Sequence, residues 1–152
     1  MGEYAKELNQ HGYSPMHLAA ANGHVKVVEM LLEISHELFC LKGRHGVTPL
    51  HCASIKGRTE IIRVLLFAYP LSVTEVIAGS ETALHVAIRN NQFESLRTLV
   101  GGLKQSTNLA ILNSRDVEGN TLLHLAAATK NHQVSGYPFT NFSTSLRALS
   151  NF

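Results

Sequence analysis

Hydrophobic and polar positions along the chain form two kinds of short helical pattern that alternate. The first kind starts at a Ser or Thr, contains a few Leu and Ala residues, and stops at a Gly or Asn. The second kind follows at once, with apolar residues at helical spacing, as in Ile61, Ile62, Leu65 and Leu66. Helices this short are only marginally stable alone. The pattern therefore predicts pairs of helices that become stable by stacking on one another.

Four copies of the first pattern align on a histidine, and the histidines are spaced by 34, 34 and 39 residues. A Ser or Thr stands three residues before each histidine, where it can cap a helix by accepting a hydrogen bond from a free backbone N–H. The four capping residues are Ser14, Thr48, Thr82 and Thr121. The four histidines are His17, His51, His85 and His124. We predict a structural role for these histidines, in which each imidazole bonds the backbone of the turn beside its helix.

Proline and glycine mark the two ends of the first helix of each pair. Pro15 and Pro49 fall at the first helical position, where a missing N–H costs nothing. Gly23, Gly57 and Asn91 fall about two turns later and can adopt the left-handed conformation that ends a helix.

This arrangement resembles a known family. A period of about 33 residues with the motif T-P-L-H-x-A is typical of the ankyrin repeat, and residues 48–66 read TPLHCASIKGRTEIIRVLL. The resemblance implies an all-α fold, an ankyrin-repeat solenoid of about four stacked helix-turn-helix repeats with short hairpin loops. We expect an ankyrin-repeat domain over residues 1–133. Its repeats are expected at about 9–42, 43–76, 77–115 and, incompletely, 116–133.

The repeat pattern stops after Gln133, because Gly136 and Pro138 stand where a second helix would run. Residues 134–152 are expected to form an atypical tail. Its large apolar residues could fold back as an irregular cap, or this end could fray or self-associate. The loss of the pattern also suggests a shortened or altered gene product. The apolar residues of the tail are Phe139, Phe142, Leu146, Leu149 and Phe152.

Three phrases point to a narrower resemblance. They are LNQHGYSPMHLAAANGH, SETALHVAIRNNQFESL and LNSRDVEGNTLLHLAAATKNHQ. Together with the long link over residues 101–116, they resemble plant ankyrin-repeat membrane proteins of the accelerated-cell-death type. In that family a cytosolic ankyrin stack precedes a transmembrane PGG region, which this sequence lacks, and the proteins are linked to defence and cell-death signalling.

The narrower resemblance implies one of two functions. The first is a cytoplasmic, non-catalytic interaction module in plant defence or stress signalling, brought to the cytosolic face of the plasma membrane through its partners. The second is a truncated soluble form of a membrane-anchored ankyrin signalling protein, which modulates its full-length relatives.

Composition narrows the class of protein further. Hydrophobic residues make up 45% of the chain and charged residues 16%, which is too apolar for a disordered protein. A net charge of +2 without a run of Lys or Arg gives no argument for a nucleic-acid partner. The most apolar window, residues 61–73, is interrupted and too short to insert into a membrane. Two cysteines, Cys40 and Cys52, indicate a reducing compartment, and Cys52 replaces Leu or Val as a small buried hydrophobe.

The sequence predicts no enzymatic activity, no cofactor and no metal. It contains no phosphate-binding Gly-rich loop, no G-x-S-x-G and no H-E-x-x-H. The repeated histidines cannot share an ion, because equivalent positions of neighbouring repeats lie roughly 10 Å apart, whereas zinc ligands lie about 2 Å from one centre.

We therefore expect a surface that binds another protein or protein segment, formed by the hairpin tips and the exposed side of the first helices. Tyr13, Val47 and Ile55 are the expected apolar anchors, while Arg44, Lys56 and Arg89 add positive charge. An apolar partner segment bordered by acidic residues would fit them. The alternative is that these are simply solvated loop residues. The full predicted set is Tyr13, Arg44, His45, Val47, Ile55, Lys56, Arg89, Asn90 and Glu118.

Overall fold

A computed structural model of the protein describes residues 3–103 and 109–128. Within these ranges the secondary structure is helical and contains no strand. This part of the chain has seven α-helices, which confirms the predicted all-α class. They are α1 (Pro15–Asn22), α2 (Val25–Ile34), α3 (Pro49–Lys56), α4 (Thr59–Ala68), α5 (Ala83–Arg89), α6 (Phe93–Leu103) and α7 (Leu122–Ala128).

The helices form two layers along a solenoid. The first helices α1, α3, α5 and α7 pack side by side in one layer, and the second helices α2, α4 and α6 pack in the other. Each second helix also packs against the first helix of its own pair. The apolar faces of both layers meet in a continuous core, whose largest fully buried side chains include Leu50, Ile61 and Leu84.

The first three first-layer helices begin with the same reciprocal cap. In α3 the Thr48 Oγ1 accepts from the His51 backbone N–H, and the Thr48 N–H donates to the His51 Nδ1 at 3.3 Å. Two residues thus satisfy two backbone donors that a helix start leaves free. Ser14 with His17, and Thr82 with His85, form the same box. This geometry supports the structural role predicted for these histidines, which stays a prediction.

Each of these imidazoles also faces the hairpin of the next repeat. Because Nδ1 accepts the cap N–H, a neutral ring carries its proton on Nε2. In His17 that atom donates to the Val47 carbonyl at 2.7 Å. The Nε2 atoms of His51 and His85 are buried without a hydrogen bond. The carbonyls of Glu81 and Asn120, which precede the next caps as Val47 does, still lie close enough to affect the two rings' pKa values.

Burial keeps these rings neutral. It lowers the pKa of His51 to about 4, although the backbone carbonyls of Glu81 and Glu75 favour the charged form. Burial also lowers the pKa values of His17 and His85. Near neutral pH the stack is therefore held by uncharged imidazoles that would cost free energy to protonate in place.

The hairpins that precede the first helices share one turn geometry. Gly12, Gly46 and Gly119 adopt positive φ angles of 81°, 78° and 81°. Ser80 stands at the same position in the third hairpin and adopts φ 58°, while Gly79 beside it does not have a positive φ. The third hairpin therefore places a non-glycine residue in the left-handed region, which is unfavourable for a residue with a Cβ.

Neighbouring hairpins are joined backbone to backbone. The Arg44 N–H donates to the Gly12 carbonyl at 2.9 Å, and the Val117 N–H donates to the Gly79 carbonyl at 2.9 Å. Between them, the Ala78 N–H donates to the His45 carbonyl at 2.8 Å. These bonds fix the spacing of the hairpin tips along the solenoid.

The segments outside the helix pairs differ from one end to the other. A short 3₁₀ helix, Tyr4–Lys6, lies against α1 and buries Ala5. In the link over residues 101–116, the first three residues continue α6 to Leu103, and Leu109–Asn113 forms another 3₁₀ helix. The cap or tail predicted over residues 134–152 lies outside the described residues.

We predict that His51 makes folding stability depend on pH. The folded-state pKa of His51 is about 4, below the value of about 6.5 in an unfolded chain. The associated stability is therefore complete above pH 6.5 and is lost as the pH falls towards 4. This amounts to about 2 kcal/mol by pH 5. Urea unfolding at pH 7.5 and pH 5.0 should show this loss, and His51→Gln, which can still cap the helix, should reduce it by that amount.

The control for this prediction is His36→Gln, since His36 is exposed. That variant should lose as much stability between the two pH values as the wild type. An unchanged pH dependence in His51→Gln would contradict the neutral-imidazole interpretation.

We predict that Ser80→Gly stabilises the fold by up to about 1 kcal/mol. The substitution relieves the left-handed strain, and part of the gain is offset by the greater freedom of glycine in the unfolded chain. Thermal or urea unfolding measures the effect. Ser80→Ala retains the Cβ and should give no gain in stability. A Gly variant that is no more stable than the Ala variant would contradict the assignment of backbone strain to Ser80.

Candidate functional site

The predicted partner-binding residues lie on the hairpins and at the ends of first-layer helices. Arg44 and His45 are exposed at the second hairpin, where His45 adopts φ 59°. Lys56 is exposed in the last turn of α3, and Ile55 beside it is half-buried. The last turn of α3 lies roughly 10 Å along the helix from its cap. We call these four residues, with Tyr13 and Val47, the hairpin-tip surface.

The apolar side chains of the hairpin-tip surface are less exposed than the sequence suggests. Tyr13 and Val47 are half-buried and pack against the core. The Tyr13 ring lies 6.0 Å from the His17 ring, centroid to centroid, and the Val47 carbonyl accepts from the same histidine. Val47 therefore links the first two repeats, and both residues expose only part of each side chain to a partner.

The positive part of the surface is exposed. Arg44 and Lys56 are solvent-accessible, and neither makes an ion pair within the described residues. Gly12 explains how Arg44 is placed, because a Cβ at Gly12 would come within 2.6 Å of the Arg44 Cβ. The first hairpin thus supports the backbone of the second, and the Arg44 side chain is directed by a rigid turn.

Arg89 is placed differently from the prediction that it adds positive charge to this surface. Its guanidinium pairs with Glu81 and, at 2.7 Å, with Asp116. Burial alone would lower the pKa of Arg89, but the bond to Asp116 and the charge of Glu81 raise it. Two carboxylates therefore neutralise this cation, although its side chain is 39% exposed, and the pairs tie α5 to the third and fourth hairpins.

Asp116 is a residue that the sequence did not single out. Its side chain is buried, and its Oδ1 accepts from the backbone N–H groups of Glu118 and Asn120 at 3.0 and 2.8 Å. Burial would raise the pKa of Asp116, but the Asn120 N–H and Arg89 outweigh it and lower the pKa. Asn9 accepts from its own hairpin in the same way. The sequence signal that could have indicated this role is an Asp or Asn at the first position of the hairpin, as at Asn9 and Asp116.

The remaining predicted residues are exposed but make local bonds. The Asn90 Nδ2 donates to the Val86 carbonyl at 2.7 Å at the end of α5. Glu118 accepts from the Asn120 Nδ2 at 3.3 Å in the fourth hairpin. His124 Nδ1 accepts from the Thr121 backbone N–H at 3.3 Å, as in the other repeats, but its ring is exposed. Asn90 has the position after α5 that Lys56 has at the end of α3, in the neighbouring repeat, whereas Glu118 lies two hairpins away from Arg44.

The described residues give little indication of a metal site or of a reactive thiol at Cys52. They contain no group of three or more His, Cys, Asp or Glu side chains that could hold a metal ion. Cys52 is buried in α3, and burial raises the pKa of its thiol to about 12. A thiolate is the nucleophilic form, so Cys52 behaves as the small core hydrophobe that its sequence position predicts.

A groove that sequence reasoning missed lies between α4 and α6, in the second layer, and has a volume of about 770 Å³. Gly101 and Gly102 take the places that Phe67 and Ala68 hold one repeat earlier, so α6 lacks side chains there. Leu66 and a 93% exposed Phe67 form part of the wall. The sequence signal that could have indicated this groove is the pair Gly101 and Gly102 within a helical pattern. The groove lies in the layer of the second helices and not in that of the first helices.

Comparison with known proteins identifies the repeat. Residues 2–76 match the family model described as "Ankyrin repeats (3 copies)". With the paired helices, capping boxes and hairpins, this match shows that the chain has the ankyrin-repeat fold. The match is to the repeat itself and does not reach the accelerated-cell-death type. A search of curated proteins found no match.

Ankyrin repeats, which residues 2–76 match, generally serve as protein–protein interaction modules. No helix among the described residues is long and apolar enough to cross a bilayer.

We predict that the two thiols differ strongly in reactivity. Cys40 is half-buried, whereas Cys52 is buried and burial raises the pKa of its thiol to about 12, so at pH 8 Cys52 should react with iodoacetamide far more slowly than Cys40. Mass spectrometry of the alkylated native protein measures both sites. In urea both should react at similar rates, and equal rates in the native protein would show that Cys52 is accessible.

Proposed function

We propose that this chain is a non-catalytic interaction module that binds an apolar segment of a partner protein, bordered by acidic residues, through the hairpin-tip surface. The observation that carries the proposal is the presence of two exposed cations, Arg44 and Lys56, which make no ion pair within the described residues, on the same repeats as half-buried apolar side chains. Arg and aromatic residues on rigid supports are favoured as binding hot spots.

The charge distribution along the stack supports the first two repeats as the binding region. The cation of the third repeat, Arg89, is neutralised by Glu81 and Asp116, while Glu118 adds negative charge at the fourth hairpin. An acidic segment would therefore be attracted to the second repeat and less so to the fourth. Complementary charge of this kind affects mainly the association rate and the choice of partner.

Rigidity of the surface favours binding without reorganisation. The hairpins are joined by backbone hydrogen bonds between the Arg44 N–H and the Gly12 carbonyl, and between the Ala78 N–H and the His45 carbonyl. The apolar residues Tyr13 and Val47 are held by the core. Little conformational entropy is then lost at the surface when a partner binds.

For the biological setting we propose plant defence or stress signalling, in the cytoplasm and, through partners, at the cytosolic face of the plasma membrane. Its support is the resemblance of three sequence phrases to the accelerated-cell-death type. The alternative from the same resemblance is a soluble form that modulates membrane-anchored relatives. Co-expression with such a relative, followed by measurement of its oligomeric state, distinguishes the two, because only the alternative predicts a change.

The proposed partner chemistry is tested by selecting peptides from a random displayed library on the full chain. Recovered peptides should combine Asp or Glu with Leu, Phe or Tyr. The single variants Arg44→Glu and Lys56→Glu should each raise the dissociation constant about tenfold at low salt, which is the loss expected for a moderate hot spot. Fluorescence polarisation in 50 mM and 300 mM salt measures this, and the difference should shrink at high salt as screening increases.

Two controls make the test specific. Lys26→Glu reverses an exposed charge on α2, in the other layer, and should leave the dissociation constant unchanged. Phe67→Ala removes the exposed wall of the groove between α4 and α6. Loss of binding in Phe67→Ala, with none in Arg44→Glu, would assign binding to the groove and overturn the proposal.

A further inference from the structure

The second helix of the first repeat, α2, exposes a stripe of large apolar side chains. Val27, Met30 and Ile34 are 44%, 63% and 51% exposed. Because they are three and four residues apart, they lie on one side of the helix. In α4 the position that corresponds to Val27 holds Ile61, which is 0% exposed. We call Val27, Met30 and Ile34 the α2 stripe, and it includes a position that the next repeat buries.

The described start of the chain leaves the α2 stripe uncovered. The 3₁₀ helix Tyr4–Lys6 lies against α1, where it buries Ala5. Leu18 on α1 nevertheless stays 43% exposed, whereas Cys52, at the same position of α3, is 7% exposed. Both helices of the first repeat therefore present apolar surface that the same positions of the second repeat bury.

Two charged residues border the α2 stripe. Lys26 lies in the first turn of α2 and Glu33 in the last turn, and a separation of seven residues, nearly two turns, places them on the same side of the helix. Both are exposed, and neither makes an ion pair within the described residues. The helix dipole favours the opposite order, with the acidic residue first and the basic residue last. Within a single chain these two charges are therefore unfavourably placed.

We propose that two copies of this chain pair through the α2 stripe, with the two α2 helices antiparallel about a two-fold axis beside Met30. The first turn of one helix then lies beside the last turn of the other. Lys26 of one copy faces Glu33 of the partner subunit, and the symmetry repeats this pair at the other end of the stripe. Each lysine also lies beside the negative end of the other helix's dipole, which reverses the unfavourable placement within one chain.

The charges favour an antiparallel second copy over other occupants of the α2 stripe. A partner surface of one sign would attract one of Lys26 and Glu33 and repel the other. A parallel second copy would place lysine beside lysine and glutamate beside glutamate, and like charges in contact are unfavourable. The antiparallel copy supplies the complementary charge at both positions and an identical apolar stripe between them.

The dimer goes beyond the proposed partner binding and does not depend on it. The α2 stripe lies in the layer of the second helices, whereas Arg44 and Lys56 lie on the second hairpin and on a helix of the first layer. Each copy would therefore keep its hairpin-tip surface free. A dimer would present two such surfaces, which strengthens binding to any partner that carries two suitable segments.

The test is sedimentation velocity of the full chain at increasing micromolar concentration and low salt, where the wild type should dimerise reversibly. Lys26→Glu and Glu33→Lys should each raise the dissociation constant of the dimer at least about tenfold, because two favourable charge pairs become unfavourable. An equimolar mixture of these two variants should dimerise about as well as the wild type, since each copy then carries the charges that the other lacks.

Two further variants make this test specific. Lys56→Glu makes the same change of charge on α3 and should weaken peptide binding while leaving the dimer unchanged, so that failure of the dimer and failure of the proposed function are distinguishable. Met30→Ser removes the apolar centre of the stripe and should abolish the dimer, while thermal unfolding of the monomer stays unchanged because Met30 is exposed. A wild type that stays monomeric, single charge variants that dimerise as the wild type does, or a dimer that Met30→Ser leaves intact would refute the proposal.

Discussion

The stack depends on an imidazole placed between the cap of one repeat and the hairpin of the next. The Thr48 N–H donates to the His51 Nδ1, which leaves the proton on Nε2, the atom directed towards the next hairpin. In the first repeat this arrangement ends in a hydrogen bond from His17 to the Val47 carbonyl at 2.7 Å. The same histidine side chain thus contributes to a helix cap and to a contact between repeats. A repeat without its neighbour would lose both burial and orientation of that ring.

The hairpin tips are rigid because of this arrangement, and their rigidity supports function. Neighbouring hairpins share backbone hydrogen bonds, so the side chains at their tips are carried by a fixed support. The first two repeats use that support to present Arg44 and Lys56 to solvent. The third and fourth use theirs to bury Asp116 against Arg89. The second repeat therefore presents exposed cations, whereas the cation of the third repeat is neutralised by carboxylates.

Features that depend on local physics could be predicted from the sequence, and those that depend on distant residues could not. The caps, Pro15 and Pro49 at the first helical position, and the burial of Cys52 follow from neighbours within a few positions. The pairing of Arg89 joins residues 27 positions apart and has no periodic signal. Likewise, Tyr13 and Val47 were predicted as outward anchors, but their half-burial depends on packing between repeats.

The most direct test of the central claim, that the hairpin-tip surface binds a partner, is an NMR titration of the isotope-labelled full chain with a peptide selected on it. The account predicts shifts concentrated at the amides of residues 43–47 and 55–56, with Tyr13 also affected, while the amides of α6 (Phe93–Leu103) remain unchanged. Shifts concentrated along α4 and α6, around the groove beside Phe67, would contradict it.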